Sequence, residues 1–206
     1  MMRRTVALLS LSTLIATGAI ATTLDYNNFS PTGSYQFYFP GGVNLRVLDD
    51  VNRVSTAAIK RIDIAFANLN QFAVDATLYV YDTDAGGAVN NLLYTSTVTG
   101  IPNGLSILSF GTPGIASGIS SLWIGVSASA TQAGMLLHNP PSLGTSADVF
   151  AWDRNGNTVV ESNEYFFFNG NPVANFAIQV YVPEPASLVA LGSGLVSLLA
   201  LRRRRA

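Results

Sequence analysis

The sequence predicts an all-β protein, an antiparallel β-sandwich of jelly-roll type set between two apolar terminal segments. Three observations lead there. Apolar and polar residues alternate with period two at several places, as in a strand that buries one face. Clusters of Gly, Asn, Asp and Pro divide these runs at short intervals. No window between the terminal segments carries the apolar spacing of a helix of about twelve residues or more.

The elements follow in chain order. Residues 34–39 and 43–47 are short strand candidates. Ile62, Ile64 and Phe66 alternate with Arg61, Asp63 and Ala65, and Val74, Ala76, Leu78 and Val80 with Asp75, Thr77, Tyr79 and Tyr81. Residues 92–97 and 106–110 come next, then Leu122, Ile124 and Val126 alternating with Trp123, Gly125 and Ser127. Residues 135–138, 149–152 and 165–168 are further short candidates, and 174–180 alternate again around Phe176, Ile178 and Val180. Turn clusters at 84–87, 102–104, 139–141 and 169–172 separate them. A jelly roll is the expected way to close so many short strands, with a barrel as the alternative. The strand–loop–strand segment from Tyr81-Asp82 to Leu92-Leu93-Tyr94 is similar to segments of β-sandwich modules in secreted bacterial proteins.

Composition narrows the function. Only 11% of the 206 residues are charged, against about 25% in ordinary soluble domains. Six of the eleven basic residues sit at the two ends, leaving five against eleven acids in residues 22–182, a net charge of −6. Nucleic-acid binding needs clustered Lys and Arg, so no nucleic-acid partner is expected. Cysteine is absent, which excludes disulfides, thiolate metal sites and Cys nucleophiles.

Both ends read as routing signals. Residues 1–21 have a positive start at Arg3 and Arg4, an apolar stretch over 6–15, and small residues at Ala19 and Ala21. This is the pattern of a signal peptide that signal peptidase cuts after Ala21. The expected domains are therefore a signal peptide at 1–21, a β-sandwich domain at 22–182 and a sorting segment at 183–206. That last segment opens with Pro183, Glu184 and Pro185, continues with an uncharged stretch over 186–201, and ends in Arg202, Arg203, Arg204 and Arg205. As a helix the stretch is roughly 24 Å long, short of the ~30 Å hydrocarbon core. Arginine flanks stay in the cytoplasm, and Arg3 and Arg4 obey the same rule, so the body is expected outside the inner membrane.

The tail resembles the PEP-CTERM family of exported Gram-negative proteins, whose Pro-Glu-Pro motif, short transmembrane stretch and arginine cluster come in this order. The resemblance covers 182–206 alone. It implies recognition by an exosortase, a membrane-embedded transpeptidase-like enzyme that removes the tail. It also implies transient membrane contact through 186–201 and a host that makes exopolysaccharide or biofilm matrix. It says nothing about what the body does.

Chemistry in the body is sparse. His138 is the only histidine, and no Gly-x-Ser-x-Gly elbow supplies a nucleophile for it. One histidine without cysteine leaves a zinc site short of ligands, and no phosphate-cradling loop opens a helix. No cofactor and no metal are expected. Ten acids, from Asp49 and Asp50 to Asp153, Glu161 and Glu164, could in principle pair as in a glycosidase, but spacing selects none. Tyr79, Tyr81 and Trp123, on the faces opposite Val80 and Ile124, are the candidates for glycan contact. Tyr35, Phe37 and Phe39 make another same-face row.

One spacing suggests a cation. From Asp153, oxygen-bearing side chains fall at loop positions one (Asp153), three (Asn155), five (Asn157), nine (Glu161) and twelve (Glu164), as in an EF-hand loop. Thr158 stands at position six, where glycine is usual, and no flanking helices are evident. A hairpin with an Asn155-Gly156 type I′ turn between 149–152 and 158–160 explains the same residues without metal and is the expected structure. The sequence as a whole points to a non-enzymatic exported protein of the cell surface or extracellular matrix. A carbohydrate-binding module is the first alternative and a secreted glycan hydrolase the second.

Overall fold

The computed structural model describes residues 21–35, 37–138, 140–169 and 175–185. Residues 1–20 of the expected signal peptide (1–21) and the segment 186–206 lie outside the described residues. Thirteen strands and no helix occur among the described residues. In chain order they are β1 (Thr22–Asn27), β2 (Phe37–Phe39), β3 (Val47–Asn52), β4 (Ile59–Asn68), β5 (Val74–Thr83), β6 (Val89–Ile101) and β7 (Gly104–Ile115). Then follow β8 (Ser121–Ala128), β9 (Ala133–His138), β10 (Phe150–Trp152), β11 (Tyr165–Phe166), β12 (Asn175–Phe176) and β13 (Ile178–Pro183).

They form two antiparallel sheets. One runs β1-β13-β4-β9-β12, with β7 along β4 and β2 along β9; the other runs β11-β10-β3-β8-β5-β6. The pairings nest: β5 with β6, β4 with β7, β3 with β8, and β1 with β13. Period two puts Ile62, Ile64, Phe66, Phe110, Ile178 and Val180 of the first sheet and Val51, Leu78, Val80, Leu122, Ile124 and Val126 of the second into one shared cluster. The two sheets thus bury a common core, and at about 25 cal/mol per Å² this apolar burial is the main stabilising term.

Two strands lie where apolar and polar residues do not alternate. β3 carries Asp49 and Asp50, which look like turn residues. Yet Asp49 is wholly buried between Val47 and Val51, and its Oδ2 accepts the Phe176 N–H at 3.0 Å. Burial, with Asp50 beside it, raises its pKa well above the ordinary carboxylate range. β1 carries Asp25, whose charge is met by buried Arg53 at 3.0 Å.

Several boundaries also differ. The strand expected over 43–47 begins only at Val47, because Asn44 sits in the left-handed region (φ 58°) and breaks the extended chain. The expected single strand over 174–180 changes partner at Ala177, where β12 on β9 gives way to β13 on β4. The expected hairpin at Asn155-Gly156 does not form. Gly156 has φ 69°, but Asn155 is not left-handed as type I′ requires, and 158–160 are not a strand. β10 instead pairs with β11 and β3, so 153–164 is one long loop.

Candidate functional site

The sorting residues sit at the end of the first sheet. In β13, Ile178, Val180 and Val182 point into the core, which fixes the register of everything after them. Val182 pairs with Thr23 and Pro183 with Thr22 on β1. Pro183, which has no N–H to give, is the last residue of the strand, and one backbone bond continues past it. The Glu184 N–H donates to the Ala21 carbonyl at 2.9 Å. Pro183 and Glu184 are half-buried, and Pro185 is exposed. Ala21 and the Pro-Glu-Pro residues are therefore side by side. Ala19 and Arg202 to Arg205 lie outside the described residues. A cut near Pro185 leaves every β13 pairing intact, whereas a cut at Val182 would have to open a ladder.

The aromatic face lies on the outside of the second sheet. Tyr79 and Tyr81 stack with centroids 6.5 Å apart and 23° between planes. Arg46 lies 4.4 Å over Tyr79, and its Nη1 donates to the Tyr81 hydroxyl at 2.5 Å. Burial raises the Tyr81 pKa, and the guanidinium opposes that rise. Trp123 is only 2% exposed. Tyr165 packs against its ring at 5.5 Å, and its Nε1 donates to the Gly87 carbonyl at 3.0 Å. Of the three expected glycan rings, Tyr81 and Trp123 are thus buried with Leu48 and Ala151, and Tyr79 alone is partly open. The same-face row of Tyr35, Phe37 and Phe39 is also divided. Phe39 enters the core, Tyr35 packs on the outer face of the first sheet, and Phe37 is exposed.

That outer face carries two adjoining grooves that sequence reasoning missed. One, of about 300 Å³, is lined by Asn27, Phe29, Ser142, His138 and Gln179 among others. Its polar groups form a chain: the Tyr181 hydroxyl donates to Gln179, the Gln179 amide to Asn27, and the Asn27 amide to Ser142. His138 packs edge-on to Tyr35, and its Nδ1 is buried without a hydrogen-bond partner. The other groove, of about 420 Å³, is more apolar and includes Tyr35, Leu105, Ile107 and Leu136. No carboxylate lines either. Nothing local in the sequence signals the chain, because Asn27, Ser142 and Gln179 come from three distant segments. No group of three or more His, Cys, Asp or Glu side chains among the described residues is gathered to hold a metal.

Residues 182–205 match the family described as the PEP-CTERM protein-sorting motif. The motif implies a secreted protein made as a membrane-anchored precursor and processed by an exosortase. No curated protein and no solved structure matches the chain.

Proposed function

We propose that the chain is an exported, non-enzymatic component of the cell surface or extracellular matrix, freed from the membrane when an exosortase removes its tail. The sorting motif at 182–205 carries this reading. Signal peptidase would act after Ala21 and the exosortase close to Pro185, at neighbouring points of one sheet end. The body is read as a jelly-roll sandwich. The orders β1-β13-β4-β7 and β3-β8-β5-β6, with the first strand on the last and each inner pair nested within the next, support that reading. The non-enzymatic part is carried from the sequence, where His138 is the only histidine and no Gly-x-Ser-x-Gly elbow accompanies it. Intact mass of the protein secreted by its native host tests the processing. The expected product begins at Thr22 and ends close to Pro185; secreted chain still bearing Arg202 to Arg205 would refute it.

The smaller groove favours a second reading, contact with a neutral glycan of the exopolysaccharide. Amide, hydroxyl and aromatic groups line it without a charged side chain, a set suited to sugar hydroxyls and a pyranose face. Binding to a glycan array that is lost in Gln179→Ala and kept in Tyr79→Ala would support this groove over the aromatic face.

A further inference from the structure

The loop from Asp153 to Glu164 buries two carboxylates and gives them no counter-charge. It leaves β10 and returns into β11, and its neck is closed by the Trp152 N–H donating to the Glu164 carbonyl at 2.9 Å. Most of its residues are exposed, yet Asp153 is 1% and Glu164 4% exposed. The ion pairs among the described residues are Arg53–Asp25 and Arg61–Asp63, so neither carboxylate has a cation. Arg154 lies over the Trp152 and Phe166 rings at 5.2 and 5.6 Å instead. Arg46 reaches the loop through the Thr158 carbonyl, at 2.7 Å.

The Glu164 carboxylate accepts the N–H groups of Arg154, Asn155 and Glu161, at 2.9, 3.3 and 3.1 Å. Asp153 is less well served. Its Oδ2 accepts the Thr158 N–H at 3.0 Å, which turns the carboxylate into the loop, while Oδ1 is buried with no partner. An orphaned carboxylate oxygen in the interior is costly unless something positive meets it. The same loop carries Asn155 and Asn157, whose Oδ1 atoms each accept one N–H at 2.8 Å and keep a second lone pair. Thr158, at position six, has φ 73°. The residue type departs from the EF-hand spacing there, but the backbone makes the turn that glycine usually makes.

We propose that this loop binds Ca²⁺. Asp153 and Glu164 supply the negative charge, and the Asn155 and Asn157 side-chain carbonyls supply neutral oxygens. Calcium is the matching ion: it accepts six to eight oxygens in irregular geometry, whereas Mg²⁺ demands a tighter octahedron and Zn²⁺ prefers nitrogen and sulfur. Glu161, at position nine, accepts the Asn155 and Asn157 amides at 3.3 and 3.1 Å; with two carboxylates left as direct ligands, the affinity belongs to the range of extracellular calcium modules, Kd of about 10⁻⁴ to 10⁻³ M.

The test uses the full chain, stripped with a chelator and titrated with CaCl₂ while thermal unfolding is followed. Terbium luminescence sensitised by neighbouring Trp152 gives a second readout. The expected result is a Tm rise of roughly 3 to 8 °C at about 10 mM Ca²⁺, little rise with Mg²⁺, and a terbium signal that Ca²⁺ competes away. Asp153→Ala should abolish both responses. Because that change touches a buried residue, exposed Asn157→Ala is the second variant; it should keep the metal-free Tm and weaken calcium binding about tenfold or more. Wild-type protein that shows no Tm shift and no terbium signal overturns the proposal. So does a shift undiminished in Asn157→Ala and Asp153→Ala, or one that Mg²⁺ reproduces.

Discussion

Arg53 fastens the edge strand that carries the expected mature N-terminus. It is 5% exposed and reaches Asp25 on β1 at 3.0 Å. Its Nη1 also donates to the Ala57 carbonyl at 2.8 Å, and its Nη2 to the Ala116 carbonyl at 3.0 Å and to that of Ile119. Arg53→Met fills much of the volume but leaves the Asp25 carboxylate, 2% exposed, without its cation. Removing one partner of a buried pair costs about 3–5 kcal/mol, a large part of a total stability of roughly 5–15 kcal/mol. The expected loss is therefore about 4 kcal/mol, or roughly 10 °C in Tm. Urea unfolding followed through Trp123 and Trp152 fluorescence measures it. Asp25→Asn should cost less, since Arg53 keeps its three carbonyls, and the double variant should lose less than the two singles added together. A loss below about 1 kcal/mol for Arg53→Met, the range of an exposed ion pair, would refute the reasoning.

Other outcomes follow from the same kind of argument. Burial raises the pKa of Asp50 to about 6 and that of Asp49 well above the ordinary carboxylate range, so the folded state holds protons that the unfolded state releases. Stability is then greatest below the ordinary carboxylate pKa and falls as pH rises through about 4 to 6; Asp50→Asn should flatten that fall in a pH series of urea midpoints. Phe150 stands 4.5 Å from Phe168 and 5.2 Å from Phe39 between ring centroids. Phe150→Ala should cost about 3–5 kcal/mol by the same assay. A Cβ on Gly125 would meet the Val47 carbonyl oxygen at 1.9 Å, so Gly125→Ala should part β3 from β8 and lower the yield of soluble protein.

The alternating strands were legible because burial of one face writes itself into the residue order. β4, β5 and β8 appear where the period-two runs fall. β1 and β3 were not legible, because their buried faces include Asp25 and Asp49. Each acid survives burial through a partner far along the chain, Arg53 for one and the Phe176 N–H for the other. No local pattern announces such a contact. The loop at 153–164 shows the opposite failure. Asn155-Gly156 is a strong short-range hairpin signal, but the pairing of β10 with β3 and β11 outweighs it.

The same contrast governs the candidate sites. The sorting motif is local, three elements in fixed order, and so it could be read directly. The aromatic face was read from alternation alone, which says that Trp123 points outward but not that Tyr165 and the Gly87 loop cover it. What sequence could not give is the reason the two routing ends are compatible with one folded body. On the proposed routing, the arginine rule puts both flanking charges on the cytoplasmic side, so both ends of the body would face the membrane. Pairing of the first strand with the last does this directly. Thr22 lies opposite Pro183, and Glu184 bonds to Ala21. With the termini at opposite poles, one end would need a connecting stretch of about 3.3 Å per residue to return along the body. The nested pairing that closes the sheets is thus also what brings Ala21 and the Pro-Glu-Pro residues within one hydrogen bond of each other.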